Sequence, residues 1–339
     1  MASTQLQFTP SSTSTRQKAT FSYWVKRTKV DTEGWLIKGT NGSNQADGVR
    51  FQSNFLLNIV LADGGGASIT TNRFFVDASS WYHVVVSIDT TQATEADRIK
   101  LYINGVQETS FSSASYPSQN YTMEGLFYSG RNMYIGSQGG GNYFSGVMSD
   151  INVIDGTAYQ ASTFGSTNTT SGEWTPNASP SVNYGANGFK LSFEDTSNLG
   201  DDTSGNTNDW TLAGSGTSTL DCPSNNFATW DTSDRWLGNT AGNGDFLDNG
   251  NTYFRTTSNS QKALVRSTIG VTSGKYYCEM KINDITRTWV GICNRQVFST
   301  SAEWWTSNNE GGFFWYGNGP ALYNANNQTS SSYGGYANG

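Results

Sequence analysis

The chain has 339 residues, only 14% of them charged, and 20 Lys and Arg stand against 27 Asp and Glu for a net charge of −7. With no basic cluster longer than VKRTK at 25 to 29, such a chain repels a nucleic acid rather than steering one. The longest apolar run, FLLNIVLA at 55 to 62, is broken by Asn58 and is too short to span a bilayer, so membrane insertion is not expected.

The 38 glycines, with Ser, Thr and Asn between short aromatic and β-branched runs, predict an all-β protein, and the length suggests two domains. In chain order the strand-like runs are LQF (6 to 8), TFSYWVKR (20 to 27), GWLIK (34 to 38), VRFQ (49 to 52), FLLNIVLA, RFFV (73 to 76) and WYHVVVSID (81 to 89). Next comes DRIKLYINGVQ at 97 to 107, where Asn104-Gly105 is a strong hairpin signal because both residues tolerate the positive φ of a type I′ turn. Alternation places Ile99, Leu101 and Ile103 on one face and Lys100 and Tyr102 on the other. NMYIGSQ (132 to 138) and YFSGVMSDINVID (143 to 155) follow, and the stretches DGGGAS, DTTQATEAD and SQGGGN between these runs are turn chemistry. Many short strands joined by tight turns point to a two-sheet antiparallel sandwich.

Residues 165 to 187 are rich in Ser, Thr, Asn and Pro without periodicity and read as a surface connection. FKLSFED (189 to 195) and DDTSGNTNDWTL (201 to 212) read as closing strands around a turn, giving a first domain over 1 to 215 with its closing strands at 188 to 212. Residues 216 to 259 read as a turn-rich linker. A second β-rich unit over 260 to 339 contains KALVRSTI, GKYYCEMKI, TWVGIC and GFFWYG. Cys222, Cys278 and Cys293 lack CxxC spacing and are expected to be buried free thiols.

The order WYHVVVSID, IKLYINGVQ, MYIGS, FSGVMSDINVIDG resembles the laminin G-like, concanavalin A-like jelly-roll family, with the matching motifs at Trp81 to Val86, Leu101 to Gly105, Ile135-Gly136 and Phe144 to Val153. FEDTSNLGDDTSGNTNDWTL resembles a strand-turn-strand that opens such domains in many relatives, displaced here to follow the core. Ser273 to Tyr277, Glu279 and Val290 to Ile292 resemble the first half of a SPRY domain, another β-sandwich. That family continues with further strands, so the last unit is expected to be completed by more sequence or by another chain. The combination in a Gly/Ser/Thr/Asn-rich chain resembles bacteriophage tail-fibre and other virion surface proteins.

Candidate chemistry is sparse. Retaining glucanases of this fold carry E-x-D-x-x-E on one strand face, which is missing here; Glu194-Asp195 and Asp201-Asp202 are adjacent pairs that a strand would point to opposite sides. The only histidine, His83, lies in a buried-type strand and reads as structural, so neither a catalytic triad nor a histidine metal site is expected. No cofactor is required. Calcium is the one candidate ion, with Asp150 and the turn of Asp201, Asp202, Asn206 and Asp209 as its candidate ligands, and turn formation by the same side chains as the other reading. Sugar binding needs exposed rings against the apolar face of a pyranose, with amides and carboxylates for its hydroxyls. Of the 11 Trp, Trp24, Trp35 and Trp81 sit in strand patterns and are expected in the core, whereas Trp304 and Trp305, beside Asn308 in a polar loop, are the candidate ligand site.

The resemblance implies a non-enzymatic structural or adhesion protein on the surface of a phage particle. It would be made in the host cytoplasm without a signal peptide, would assemble with its own copies and other virion proteins, and would bind host-surface glycan or protein. The alternatives are a capsid or tail decoration that mainly packs on virion proteins, and a polysaccharide depolymerase.

Overall fold

The computed structural model describes residues 3–40, 46–61, 66–237, 247–248, 250–255, 263–283, 288–293, 312–316, 321–324 and 327–330. Two compact units emerge: Met1–Asp234 with Asp245–Arg255 and Val265–Ile269, and Arg235–Gly244 with Thr256–Leu264 and Gly270–Gly339.

The first unit is a sandwich of antiparallel sheets. Its strands are β1 (Gln5–Phe8), β2 (Lys18–Arg27), β3 (Gly34–Thr40), β4 (Ala46–Phe51), β5 (Leu57–Leu61), β6 (Ala67–Thr71), β7 (Tyr82–Asp89), β8 (Ile99–Ile103), β9 (Val106–Glu108), β10 (Phe111–Ser115), β11 (Met133–Ile135), β12 (Gly146–Asp155), β13 (Gly165–Thr167), β14 (Trp174–Pro176), β15 (Phe189–Leu191) and β16 (Thr211–Ala213). One sheet has eight strands in the order β10-β6-β5-β4-β3-β11-β1-β16, the other six in the order β15-β12-β2-β7-β8-β9. The two inner faces share one core, to which β7 contributes Val84, Val86 and Ile88 and β8 contributes Ile99, Leu101 and Ile103. Asn104 (φ +48) and Gly105 (φ +80) turn the β8–β9 hairpin in the left-handed region, as the dipeptide demands.

The six-stranded sheet is covered on its outer face as well. Val85, Tyr102, Ile154, Ala161 and Phe164 form a second buried cluster with Tyr159, Trp174, Val182 and Tyr184 packed against it. The stretch 165 to 187, polar enough to read as a surface connection, thus supplies Trp174, Val182 and Tyr184 to the roof of this sheet, and β13 pairs with β14 within it. Further on, β15 pairs with β12 and β16 with β1, Leu212 opposite Leu6, while Trp210 packs its ring on Phe189 (centroids 4.6 Å apart) and Phe8 (5.5 Å).

Residues 221 to 232 also pack on the sandwich. Lys26, fully buried, donates from Nζ to Asp221 Oδ2 (2.8 Å), Asn226 Oδ1 (2.8 Å) and the Phe227 carbonyl (2.6 Å), and Thr232 Oγ1 donates to the Thr28 carbonyl (2.7 Å). Trp24, Trp35 and Trp81 are all buried.

Three sequence expectations are corrected. RFFV is not a strand: residues 72 to 81 form a looping connection between β6 and β7 with Phe75 turned inward and Phe74 and Val76 outward. Nor are the cysteines buried, since Cys278 is exposed and Cys222 and Cys293 are half-buried, all three as free thiols. In the second unit, Trp289–Cys293, Gly312–Tyr316, Ala321–Asn324 and Asn327–Ser330 form an antiparallel sheet in chain order. GKYYCEMKI, which reads as a strand, has no strand structure, and Tyr276 and Tyr277 are exposed. Alternation specifies a strand only when a neighbouring edge supplies the hydrogen bonds.

Candidate functional site

One end of the sandwich in the first unit is built around a buried guanidinium. Arg27, the last residue of β2, is 1% exposed; its Nη1 donates to the Phe75 carbonyl (2.9 Å) and its Nη2 to the carbonyls of Val30 (2.7 Å) and Thr32 (3.3 Å). The guanidinium lies 4.4 Å from the centroid of the Phe51 ring. Burial pulls its pKa down to about 10, against the opposing influence of Tyr82 and Asp31, so it stays charged at neutral pH. A planar fork with five N–H donors can reach carbonyls on separate loops at once. Arg27 thereby ties the β2–β3 connection to the β6–β7 connection.

The Phe75 backbone is held on both sides, because its N–H also donates to the Phe55 carbonyl (2.8 Å) in the β4–β5 turn. Its ring fills the core edge-on to Phe51 (5.2 Å) and Tyr82 (5.2 Å). Successive residues of an extended chain face opposite ways, so fixing Phe75 inward sends Phe74 and Val76 into solvent, 62% and 52% exposed. The Phe74 ring meets Phe55 at 6.4 Å in an edge-to-face arrangement. Phe55 itself has φ +72, a left-handed conformation that costs a non-glycine residue about 1–2 kcal/mol. The surrounding hydrogen bonds hold it there: Gln52 N–H donates to Leu56 O, and Phe55 N–H to Gln52 O.

Polar groups border these rings. Asn54 is exposed, and Arg73 pairs with Glu108 through Nε (2.7 Å) and Nη2 (2.6 Å). From the same end a polar chain runs across the outer face of the eight-stranded sheet: Asn142 Nδ2 donates to Glu33 Oε1 (2.8 Å), Arg50 Nη1 donates to that oxygen (3.0 Å) and Arg50 Nε to Asn58 Oδ1 (3.1 Å). The Trp35 ring beneath Arg50 (5.0 Å) and Lys38 (5.4 Å) is buried, whereas the Phe74 ring at this end is exposed. What the arrangement offers chemically is a rigid apolar platform with amide and guanidinium donors at its border. Sequence reading missed it, because RFFV carries no sign of which phenylalanine turns outward.

The sequence-derived candidates stand elsewhere. Trp304, Trp305 and Asn308 lie outside the described residues. Asp202 accepts from the backbone N–H groups of Lys190 (2.9 Å), Ser204 (2.9 Å) and Asn208 (2.8 Å) and from Ser204 Oγ (2.9 Å), and Asp209 Oδ1 accepts from Asp202 N–H (3.0 Å). Asn206 Nδ2 donates to the carbonyls of Gly185 (2.7 Å) and Gly188 (2.9 Å), and Asp201 N–H donates to Asn198 O. Asp150 sits apart from this turn in sequence, on β12 where its register with β2 shifts, at φ +45 with Ser149 Oγ donating to Oδ2 (3.0 Å); burial pushes its carboxyl pKa up. The turn residues therefore act as loop staples, and among the described residues no group of three or more His, Cys, Asp and Glu side chains is placed to hold a metal ion.

His83 has the structural role its strand suggested. It is fully buried, with its ring 4.7 Å from Trp24 and 6.0 Å from Trp174, both nearly parallel. Trp174 Nε1 donates to Nδ1 (2.8 Å), which makes Nδ1 the acceptor and leaves the proton on Nε2, facing Ser22 Oγ (2.9 Å). Burial lowers its pKa to about 3, so the ring is neutral at physiological pH.

Comparison with known proteins agrees with this architecture. Residues 1–162 match a laminin G family model described as the concanavalin A-like lectin/glucanases superfamily. The first unit is a laminin G-like, concanavalin A-like jelly-roll sandwich. No curated protein matches. Among solved structures, the chain is similar to a heptameric SAP-like pentraxin from Limulus polyphemus (19% identity over 52% of this chain and 86% of that one, TM-score 0.34). It is also similar to a putative carbohydrate binding protein from Bacteroides ovatus (16% identity, 65% and 59%, TM-score 0.38) and to the enzymatically active domain of the bacteriophage CBA120 tailspike protein 2 (15% identity, 47% and 25%, TM-score 0.33). Among the described residues no helix is long and apolar enough to cross a membrane.

Proposed function

We propose that this chain is a non-enzymatic attachment protein of a bacteriophage particle, and that the loop end at Phe55, Phe74 and Val76 binds glycan on the host surface. The observation that carries the binding reading is Phe74: a ring 62% exposed, next to the Phe75 backbone that is fixed from both sides, in a sandwich that matches a lectin-containing superfamily. A pyranose presents C–H groups on one face and hydroxyls around its edge, which complements a ring bordered by Asn54 and Arg73. The position on a particle rests on the resemblance to virion surface proteins given above. Weak binding per copy suits such a setting, because many copies raise avidity without a new contact.

The test is to apply the full chain and its Phe74→Ala variant to arrayed bacterial surface polysaccharides and to whole cells. The parent is expected to bind a subset and the variant to lose at least about tenfold in affinity with its unfolding midpoint unchanged, since little of the exposed ring is packed. A parent that binds no glycan or cell, or one that shortens the polysaccharide, overturns the reading; shortening would favour the depolymerase alternative.

A further inference from the structure

At the other end of β2 from Arg27, two arginines share one ring and one carboxylate. Arg16 Cζ lies 4.5 Å and Arg131 Cζ 3.7 Å from the centroid of Tyr128. Glu124 Oε2 is 3.8 Å from Arg16 Nη1 and 3.3 Å from Arg131 Nη1, which also donates to the Glu124 carbonyl. The scaffold is fixed: Arg16 Nη1 donates to Met123 O (2.7 Å), Met123 N–H donates back to Arg16 O (3.0 Å), and Ser129 donates to Thr13 Oγ1 (3.1 Å) and to Ser11 O (3.0 Å). Arg16 holds a left-handed φ of +54 within this web.

Hydrogen bonding within the protein leaves this cluster unfinished. Arg16 Nε and, two residues earlier, Ser14 Oγ are buried without a hydrogen-bond partner. An arginine N–H can only donate, so what Arg16 Nε lacks is an acceptor. The charges point the same way, because two guanidinium groups held beside one ring face a single carboxylate, and that carboxylate is the most exposed of the three side chains at 35%, against 12% for Arg16 and 26% for Arg131.

We propose that this cluster binds an oxyanion, the carboxylate or sulfate of an acidic saccharide. The fork of a guanidinium matches the paired oxygens of either group, and the tyrosine ring beneath orients it. The saccharide half of the proposal rests on the attachment reading above; the anion site stands on its own geometry. With the whole chain at −7, long-range steering opposes an anion, so binding depends on the close cations and weakens with salt.

The experiment titrates sodium sulfate, and separately a uronic acid oligosaccharide, into the full chain at constant ionic strength made up with sodium chloride, following heat and unfolding midpoint. Sulfate is expected to bind where chloride does not, Arg131→Gln to weaken it at least about fivefold, and Glu124→Gln, which removes the internal competitor, to tighten it at least about twofold. Sulfate acting no better than chloride, or both substitutions weakening it alike as for a mere loop clamp, overturns the site. Oligosaccharide binding that is lost in Phe74→Ala but kept in Arg131→Gln overturns this inference and leaves the attachment reading standing. Sulfate bound through Arg131 with no saccharide bound by the parent supports the anion site and removes the saccharide.

Discussion

Lys26 and Asp221, 195 residues apart in sequence, form an ion pair of 2.8 Å with side-chain exposures of 0% and 2%. The remaining ammonium donors are taken by Asn226 and Phe227, and the other carboxylate oxygen accepts from Trp81 Nε1 (2.9 Å) and Phe227 N–H (3.2 Å). Every polar atom of the pair is therefore matched, which is the condition for burying charge at all. Asp221→Ala would strand the ammonium and is expected to cost about 3–5 kcal/mol in urea unfolding. Lys26→Met combined with Asp221→Leu should recover most of that loss. A single variant within about 1 kcal/mol of the parent would show that the segment is not fixed by this pair.

His83 carries a pH dependence whose sign follows from its burial. Its pKa falls from 6.5 to about 3 on folding, so between these values the unfolded chain binds a proton that the folded one excludes. Stability is then flat above pH 6.5 and drops as the pH falls toward 3, by about 1.4 kcal/mol per unit at most. Denaturant unfolding at pH 6.5 and pH 5 should give a loss about 2 kcal/mol greater for the parent than for His83→Gln, in a window above the ordinary range of carboxylates. Equal losses would mean that His83 accepts a proton in the fold.

Much of this fold is legible because strand patterns report local facts. Asn104-Gly105 specifies a turn whatever surrounds it, and alternation through Ile99, Leu101 and Ile103 says which face is apolar. Those patterns also put Trp24, Trp35 and Trp81 inside, where they are. What could not be read are relationships between distant segments. Nothing near Lys26 announces Asp221, and nothing in GSTNTTSGEWTPN tells that Trp174 will roof His83. The site is illegible for a related reason: in RFFV either phenylalanine could turn inward, and the choice is made by Arg27 at the end of β2 and Phe55 in the β4–β5 turn, which hold the Phe75 backbone. The Asp202 turn is ambiguous for another reason, since oxygen-rich Asx segments read alike whether they hold a cation or their own backbone N–H groups.

Gly105 links the hairpin to that roof. Its φ of +80 disfavours any side chain, and a Cβ there would lie 2.5 Å from the Trp174 ring. Gly105→Ala therefore combines backbone strain with displacement of the indole that donates to His83 Nδ1. The expected cost is more than about 1 kcal/mol, accompanied by greater solvent quenching of tryptophan fluorescence. Trp174→Phe, which keeps a ring but loses the N–H, should destabilise without that increase in quenching. A Gly105→Ala protein with the parent's stability and fluorescence would place the indole elsewhere.

Arg27 gives the strictest separation between holding the loops and touching the ligand, because it is buried and cannot itself meet a sugar. Arg27→Lys keeps the charge but replaces a fork by a point, which cannot serve the carbonyls of Phe75, Val30 and Thr32 in their present places. A buried carbonyl left without its donor costs about 1–3 kcal/mol, so the variant should fold with lowered stability and loosened connections around Phe74. Glycan affinity is then expected to fall about as far as in Phe74→Ala, even under conditions where the variant is fully folded, because a ring that must be ordered on binding gives back much of what its contact gains. Titration of one glycan into both variants and the parent, alongside denaturant unfolding, reads the two effects separately. If Arg27→Lys is destabilised yet binds like the parent, the exposed ring does not depend on its backing, and the loops are held for stability rather than for binding.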